Sequence, residues 1–193
     1  MNRSAAIVIA DGYTDAEFLV AFHMLKAASF EVSVYSLNSG PVTGIQGWVQ
    51  KESGLIRDCN VDLTATPSNE KYHRNFCDAG ILVLVGGVKA IEKLRLCKPL
   101  IRAINTRNAE HGLIASICHG AQLLIEADIF RGDERSQRLV VSGYASIRRD
   151  IENAGAEFSE AAVCKCANII SSPHYDFAGI WVAEMIKEFD ARS

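Results

Sequence analysis

The chain has 193 residues, 49% of them hydrophobic, and a net charge of −3. That is enough apolar material for one buried core, and it excludes a disordered chain. Acids and bases are interspersed and the apolar runs are strand-sized, so partners such as nucleic acid or a membrane are not expected.

Ala5–Ala10 reads as a first buried strand and Thr14–Ser29 as a helix, with Phe18, Phe22 and Leu25 on one face. Glu31–Leu37 is the next strand. From Asn38 to about Thr66, glycines and Pro41 punctuate short hairpin strands or irregular structure, and Pro67–Cys77 is a polar loop or short helix. Gly80–Val85 is a buried strand ending at Gly86-Gly87. Lys89–Cys97 and Leu100–Ala109 are helical, Leu113–Ile117 is a strand, and His119–Ala127 is the helix behind it. Leu139–Ser142 predicts another strand and Tyr144–Asn153 another helix, with Gly155 in the C-cap position. Val163–Cys164 and Asn168–Ser171 predict a late hairpin. His174–Phe189 closes as a helix with Trp181, Met185 and Phe189 on one face. This alternation predicts an α/β single-domain three-layer sandwich, a mostly parallel sheet flanked by helices, of the flavodoxin-like kind.

Ligands in such folds bind at the carboxyl ends of the strands. Asp11–Glu17, Gly86-Gly87 and Cys118-His119 all follow strands and should meet in one crevice. Cys118 stands at a sharp strand-to-helix turn, where a nucleophile is exposed and aimed and a helix N-terminus favours the thiolate. His119 offers a side chain as base or a backbone N–H to an oxyanion, and Gly87 offers a second N–H. Glu17 is either a helix-capping acid or a carboxyl group facing Cys118.

The six cysteines, Cys59, Cys77, Cys97, Cys118, Cys164 and Cys166, with no signal-peptide pattern, predict reduced thiols in a cytoplasmic protein. Cys164-Lys165-Cys166 has the wrong spacing for a zinc knuckle and reads as two residues on one strand face. No metal and no cofactor is expected.

Several blocks resemble the ThiJ/PfpI superfamily, which has a class I glutamine amidotransferase-like fold. Ile117-Cys118-His119-Gly120-Ala121-Gln122-Leu123-Leu124 is similar to the nucleophile motif of its PfpI branch, and the stretch from Ser142 to Ala156 to the strand and helix that follow. Val42–Trp48 and Val61-Asp62-Leu63 resemble its early hairpin region. The resemblance implies Cys118 as nucleophile, Glu17 as the acid that hydrogen-bonds the thiolate, and Gly87 and His119 at the oxyanion hole. In the protease-like branch it also implies a glutamate from a neighbouring subunit. Glu92 is the candidate here, one residue further from Gly-Gly than the family spacing, with Val85 where the family has proline. His174 is a candidate pocket residue. Gln50–Cys77, with Tyr72, His73 and Arg74, is longer than the family pattern.

These observations predict a cysteine-nucleophile enzyme, a hydrolase or lyase, that adds its thiolate to a small-molecule carbonyl, amide or isonitrile. A redox-sensing or chaperone-like stress protein with an oxidisable Cys118 is the alternative. An intracellular peptidase or a glutaminase-type amidotransferase, the latter using His174 and Asp176, is the third reading. The resemblance further implies a homodimer or larger homo-oligomer.

Overall fold

The computed structural model describes residues 3–37, 39–51, 54–55, 78–131 and 138–193. The strands are β1 Ser4–Val8, β2 Glu31–Ser36, β3 Pro41–Thr43, β4 Val49–Lys51, β5 Gly54–Leu55, β6 Ile81–Leu84, β7 Leu113–Ile117, β8 Val140–Val141, β9 Glu157–Phe158, β10 Cys164–Cys166 and β11 Ile169–Ser172. The helices are α1 Asp15–Ala27, α2 Val88–Leu94, α3 Lys98–Ala109, α4 Ala121–Glu126, α5 Arg148–Asn153 and α6 Ala178–Arg192. Of the Gln50–Cys77 segment, residues 52–53 and 56–77 lie outside the described residues, with Cys59, Tyr72, His73, Arg74 and Cys77 among them.

Seven strands form the central sheet in the order β10-β11-β7-β6-β1-β2-β5, parallel except where β10 pairs antiparallel with β11. Every residue of β1, β6, β7 and β11 is buried, which a strand achieves only when helices cover both faces of its sheet. α6 packs against α1 and β11. Trp181, Met185 and Phe189 form its buried face, and Trp181 Nε1 donates to the Ile170 carbonyl at 3.1 Å.

The chain leaves β1 toward β2 and later leaves β6 toward β7, in the opposite direction across the sheet. The crevice outside the carboxyl ends of β1 and β6 is therefore the topological switch point. The β3–β4 hairpin leans over this end of the sheet. The Asp15 carboxylate accepts the Gln46 and Trp48 N–H groups, each at 2.8 Å, and Gly12 N–H donates to the Thr43 carbonyl.

Several expectations shift, among them the helix expected over Tyr144–Asn153, which opens as a 3-10 turn at Ala145–Ile147 before the α-helix at Arg148–Asn153. The strand around Val140 does not join the main sheet but pairs in parallel with β9, and the Cys166 sulfur occupies its N–H. The helix expected from His119 begins as a 3-10 turn over Cys118–Gly120, because Cys118 itself holds a positive φ of 57°. The last helix starts at Ala178 after a 3-10 turn over Tyr175–Phe177, because His174 is extended and its side chain caps that turn.

Replacing Asp15 tests the hairpin anchor. Asp15→Ala removes two charge-assisted hydrogen bonds and should cost about 2 kcal/mol in urea unfolding. Asp15→Asn keeps one acceptor oxygen and should cost less.

Candidate active site

Cys118 follows β7 in the left-handed region that bulky side chains rarely occupy, a strain that marks functional turns. The turn directs the sulfur at the loop after β6. The backbone N–H groups of His119 and Gly87 both point at the sulfur. Gly87 takes a φ of 106°, and a β-carbon there would press on the Gly12 carbonyl oxygen, so only glycine suits the position.

Glu17 is fully buried on the first turn of α1. Its Oε2 accepts the Gly86 N–H at 2.7 Å. The carboxyl group also meets the Cys118 sulfur and the Thr14 hydroxyl, while Oε1 is buried with no partner in strict hydrogen-bond geometry. A β-carbon on Gly86 would lie 2.7 Å from Glu17 Oε2 and 2.9 Å from the Cys118 β-carbon. The contact between acid and thiol therefore exists because residue 86 has no side chain.

Burial pushes the Glu17 carboxyl up to about 7, against the lowering effect of hydrogen bonds from Gly86, Cys118 and Thr14. Burial, and then the negative charge of Glu17, push the Cys118 thiol well above its ordinary value. The expected helix-terminus effect is outweighed: Cys118 is only 7% exposed, and α4 is short. Two buried acids in contact cannot both ionise, so the carboxyl loses its proton first and the thiol beside it keeps its own. In the other form of that singly charged pair the sulfur is a thiolate and Glu17 carries the proton.

His119 Nδ1 lies 3.3 Å from the Cys118 sulfur, and Nε2 lies 3.5 Å from the Ser146 hydroxyl. Burial lowers the imidazole below its ordinary value, so it is neutral at pH 7 and able to accept a proton. Its ring stacks on Tyr144 at 4.8 Å between centroids, and the Tyr144 N–H donates to the Cys118 carbonyl at 3.2 Å. Tyr144 also stacks with His174 at 6.1 Å, and His174 Nδ1 pairs with Asp176 Oδ2 at 3.0 Å. The structure thus brings Cys118, Glu17, Gly87 and His119 together and joins His174, with Asp176 beside it, to them through Tyr144. Glu92 lies apart on α2, exposed and paired with Arg95 at 3.8 Å. Tyr144 and Ser146 are site residues the sequence reading missed. Their signal was position, since both follow the short strand β8 at its carboxyl end.

Among the described residues no group of three or more metal-ligating side chains gathers, and no helix is long and apolar enough to cross a membrane.

The model of the DJ-1/PfpI family matches residues 3–188, and the chain belongs to that family. A relative named a deglycase, from Thermococcus kodakarensis, is 35% identical over 182 residues, covering 94% of this chain and 96% of the relative. A Bacillus subtilis relative named a putative cysteine protease is 27% identical over 181 residues, 89% of each chain. Among solved structures, a ThiJ/PfpI domain protein from Brachyspira murdochii superposes with a TM-score of 0.81 at 14% identity, over 100% of this chain and 99% of that one. A two-domain Anabaena variabilis protein with DJ-1/ThiJ/PfpI-like and ferritin-like domains gives 0.80 at 25% identity, and this chain covers 50% of its length and 97% of its own.

The buried acid has a signature in stability. A carboxyl group that holds its proton to about pH 7 when folded, but loses it near 4.5 when unfolded, binds more protons in the native state between those values. Native stability therefore falls as pH rises through that window. Glu17→Gln removes the titration, so its stability relative to the parent should climb between pH 4.5 and 7 by about 3 kcal/mol and then level off. Urea unfolding across that range measures it.

Proposed function

We propose that the protein is a cysteine-dependent enzyme that acts on a small carbonyl-class electrophile, with Cys118 as nucleophile. The observation that carries this reading is the convergence on one sulfur of two backbone donors, from Gly87 and His119, with a protonatable carboxyl at Glu17 and an imidazole 3.3 Å away. Relatives named deglycase and putative cysteine protease support an enzymatic role.

In the proposed step the thiol proton passes to Glu17 or to His119 Nδ1. The sulfur lone pair attacks the carbonyl carbon. A carbon–sulfur bond forms, and the π pair of the C=O bond moves onto oxygen. Gly87 and His119 N–H groups hold that oxyanion, and the proton returns to it or to a leaving group. The carboxyl raised to about 7 is matched to proton transfer near neutral pH, and the imidazole, lowered by burial, is free to accept a proton. A glutaminase-type arrangement would need His174 at the sulfur, where His119 lies instead.

A panel of small aldehydes, ketoaldehyde adducts and amides tests the proposal. Cys118→Ser should lower kcat by at least about 10³-fold on any true substrate. Glu17→Gln should lower kcat and shift the pH profile. His174→Ala should leave turnover of such a substrate within about tenfold. Equal turnover by the Cys118→Ser protein would overturn the assignment.

A further inference from the structure

The second pair of thiols that the proposed chemistry does not use lies on β10. Cys164 and Cys166 stand on one face of this strand, both half-buried, with Lys165 on the other face paired to Glu188. Both sulfurs converge on a single residue of β8. Cys166 Sγ accepts the Val140 N–H at 3.4 Å, and Cys164 Sγ donates to the Val140 carbonyl at 3.3 Å. The two backbone atoms belong to one residue, so both sulfurs face the same short stretch of β8.

We infer that Cys164 and Cys166 form a two-coordinate binding site for a soft monovalent cation of the cuprous class. Soft thiolates select such ions. Such an ion is content with two thiolate ligands, whereas a structural zinc takes four. The zinc-knuckle spacing that the sequence lacks is no requirement for that ion.

Reach favours a bridging ion over a direct sulfur–sulfur bond. Alternate residues of a strand stand about 6.6 Å apart, whereas a disulfide needs β-carbons about 3.8 Å apart. Two metal–sulfur bonds end to end span at most about 4.6 Å, twice the zinc–thiolate length, which side-chain rotation can meet while the backbone stays pleated. β10 is also the edge of the sheet, with β11 on one side only, so small adjustments disturb one ladder. Uptake balances as one cuprous ion bound and two thiol protons released. The Val140 N–H still has a sulfur to donate to after loading.

Anaerobic titration with cuprous ion against the chelator bicinchoninate tests the site. The parent and Cys118→Ser proteins should each take one ion per chain in competition with the chelator. The Cys164→Ser/Cys166→Ser protein should take none, and each single variant should bind at least about 100-fold more weakly, as expected when a chelating partner is lost. Serine keeps hydrogen bonds to Val140 within reach, which favours folding of the variants. Independently of any variant, cuprous ion should protect both thiols of the parent from maleimide, read by mass spectrometry of the peptide that contains them. Uptake unchanged in the double variant, uptake abolished by Cys118→Ser, or no protection of Cys164 and Cys166 would each overturn the site.

Discussion

The contact between the buried Glu17 carboxyl and the Cys118 sulfur is the constraint around which the rest of the site is arranged. A carboxyl group with no exposure is unfavourable as an anion, and a thiol beside it is unfavourable as a second anion. The fold accommodates the pair with one proton fewer than two neutral acids, and that remaining proton can sit on either group. Three features make the contact. α1 starts soon enough after β1 to turn Glu17 inward. Gly86 leaves the space between acid and thiol unfilled. Cys118 accepts a left-handed backbone to place its sulfur there.

Each of those features comes from a different strand end, and the parallel sheet assembles them. β1, β6 and β7 are adjacent and in register, so their carboxyl ends deliver Glu17, Gly86-Gly87 and Cys118 to one place without any loop having to be long. The fourth contribution, Tyr144 and Ser146, arrives from β8, a strand outside the main sheet. These two residues hold the face and one edge of the His119 ring. Within this chain a hydroxyl, that of Ser146, meets the imidazole at Nε2, while Glu92 is engaged with Arg95 on the surface of α2.

The parallel sheet, its helices and the placing of Cys118 and Gly86-Gly87 at strand ends were legible in the sequence because they depend on local pattern, whereas the pattern left Glu17 open between helix cap and thiol partner and only the family resemblance pointed it at the sulfur. Strand periodicity marks the ends, and glycine and cysteine at those ends mark the turn. The ionisation of Cys118 was not legible, since it depends on how completely packing excludes water from the sulfur and on which acid shares its pocket. Ser146 and Tyr144 were hidden for a related reason. The run from Tyr144 reads as plain helix, and only the 3-10 turn at Ala145–Ile147 presents those side chains to His119. The displacement of β8 was equally invisible, because cysteine side chains there take the Val140 backbone groups that a neighbouring strand would bond.

The central claim is that the Glu17–Cys118 pair loses one shared proton near neutral pH and thereby supplies the reactive sulfur. The rate of iodoacetamide alkylation at Cys118, followed against pH by mass spectrometry of the modified peptide, measures it directly. The account predicts an inflection near 7 in the parent protein, set by the raised Glu17 carboxyl, and its movement upward to the ordinary thiol range or beyond in Glu17→Gln. A profile that inflects only in the ordinary thiol range and is unchanged by Glu17→Gln would contradict it.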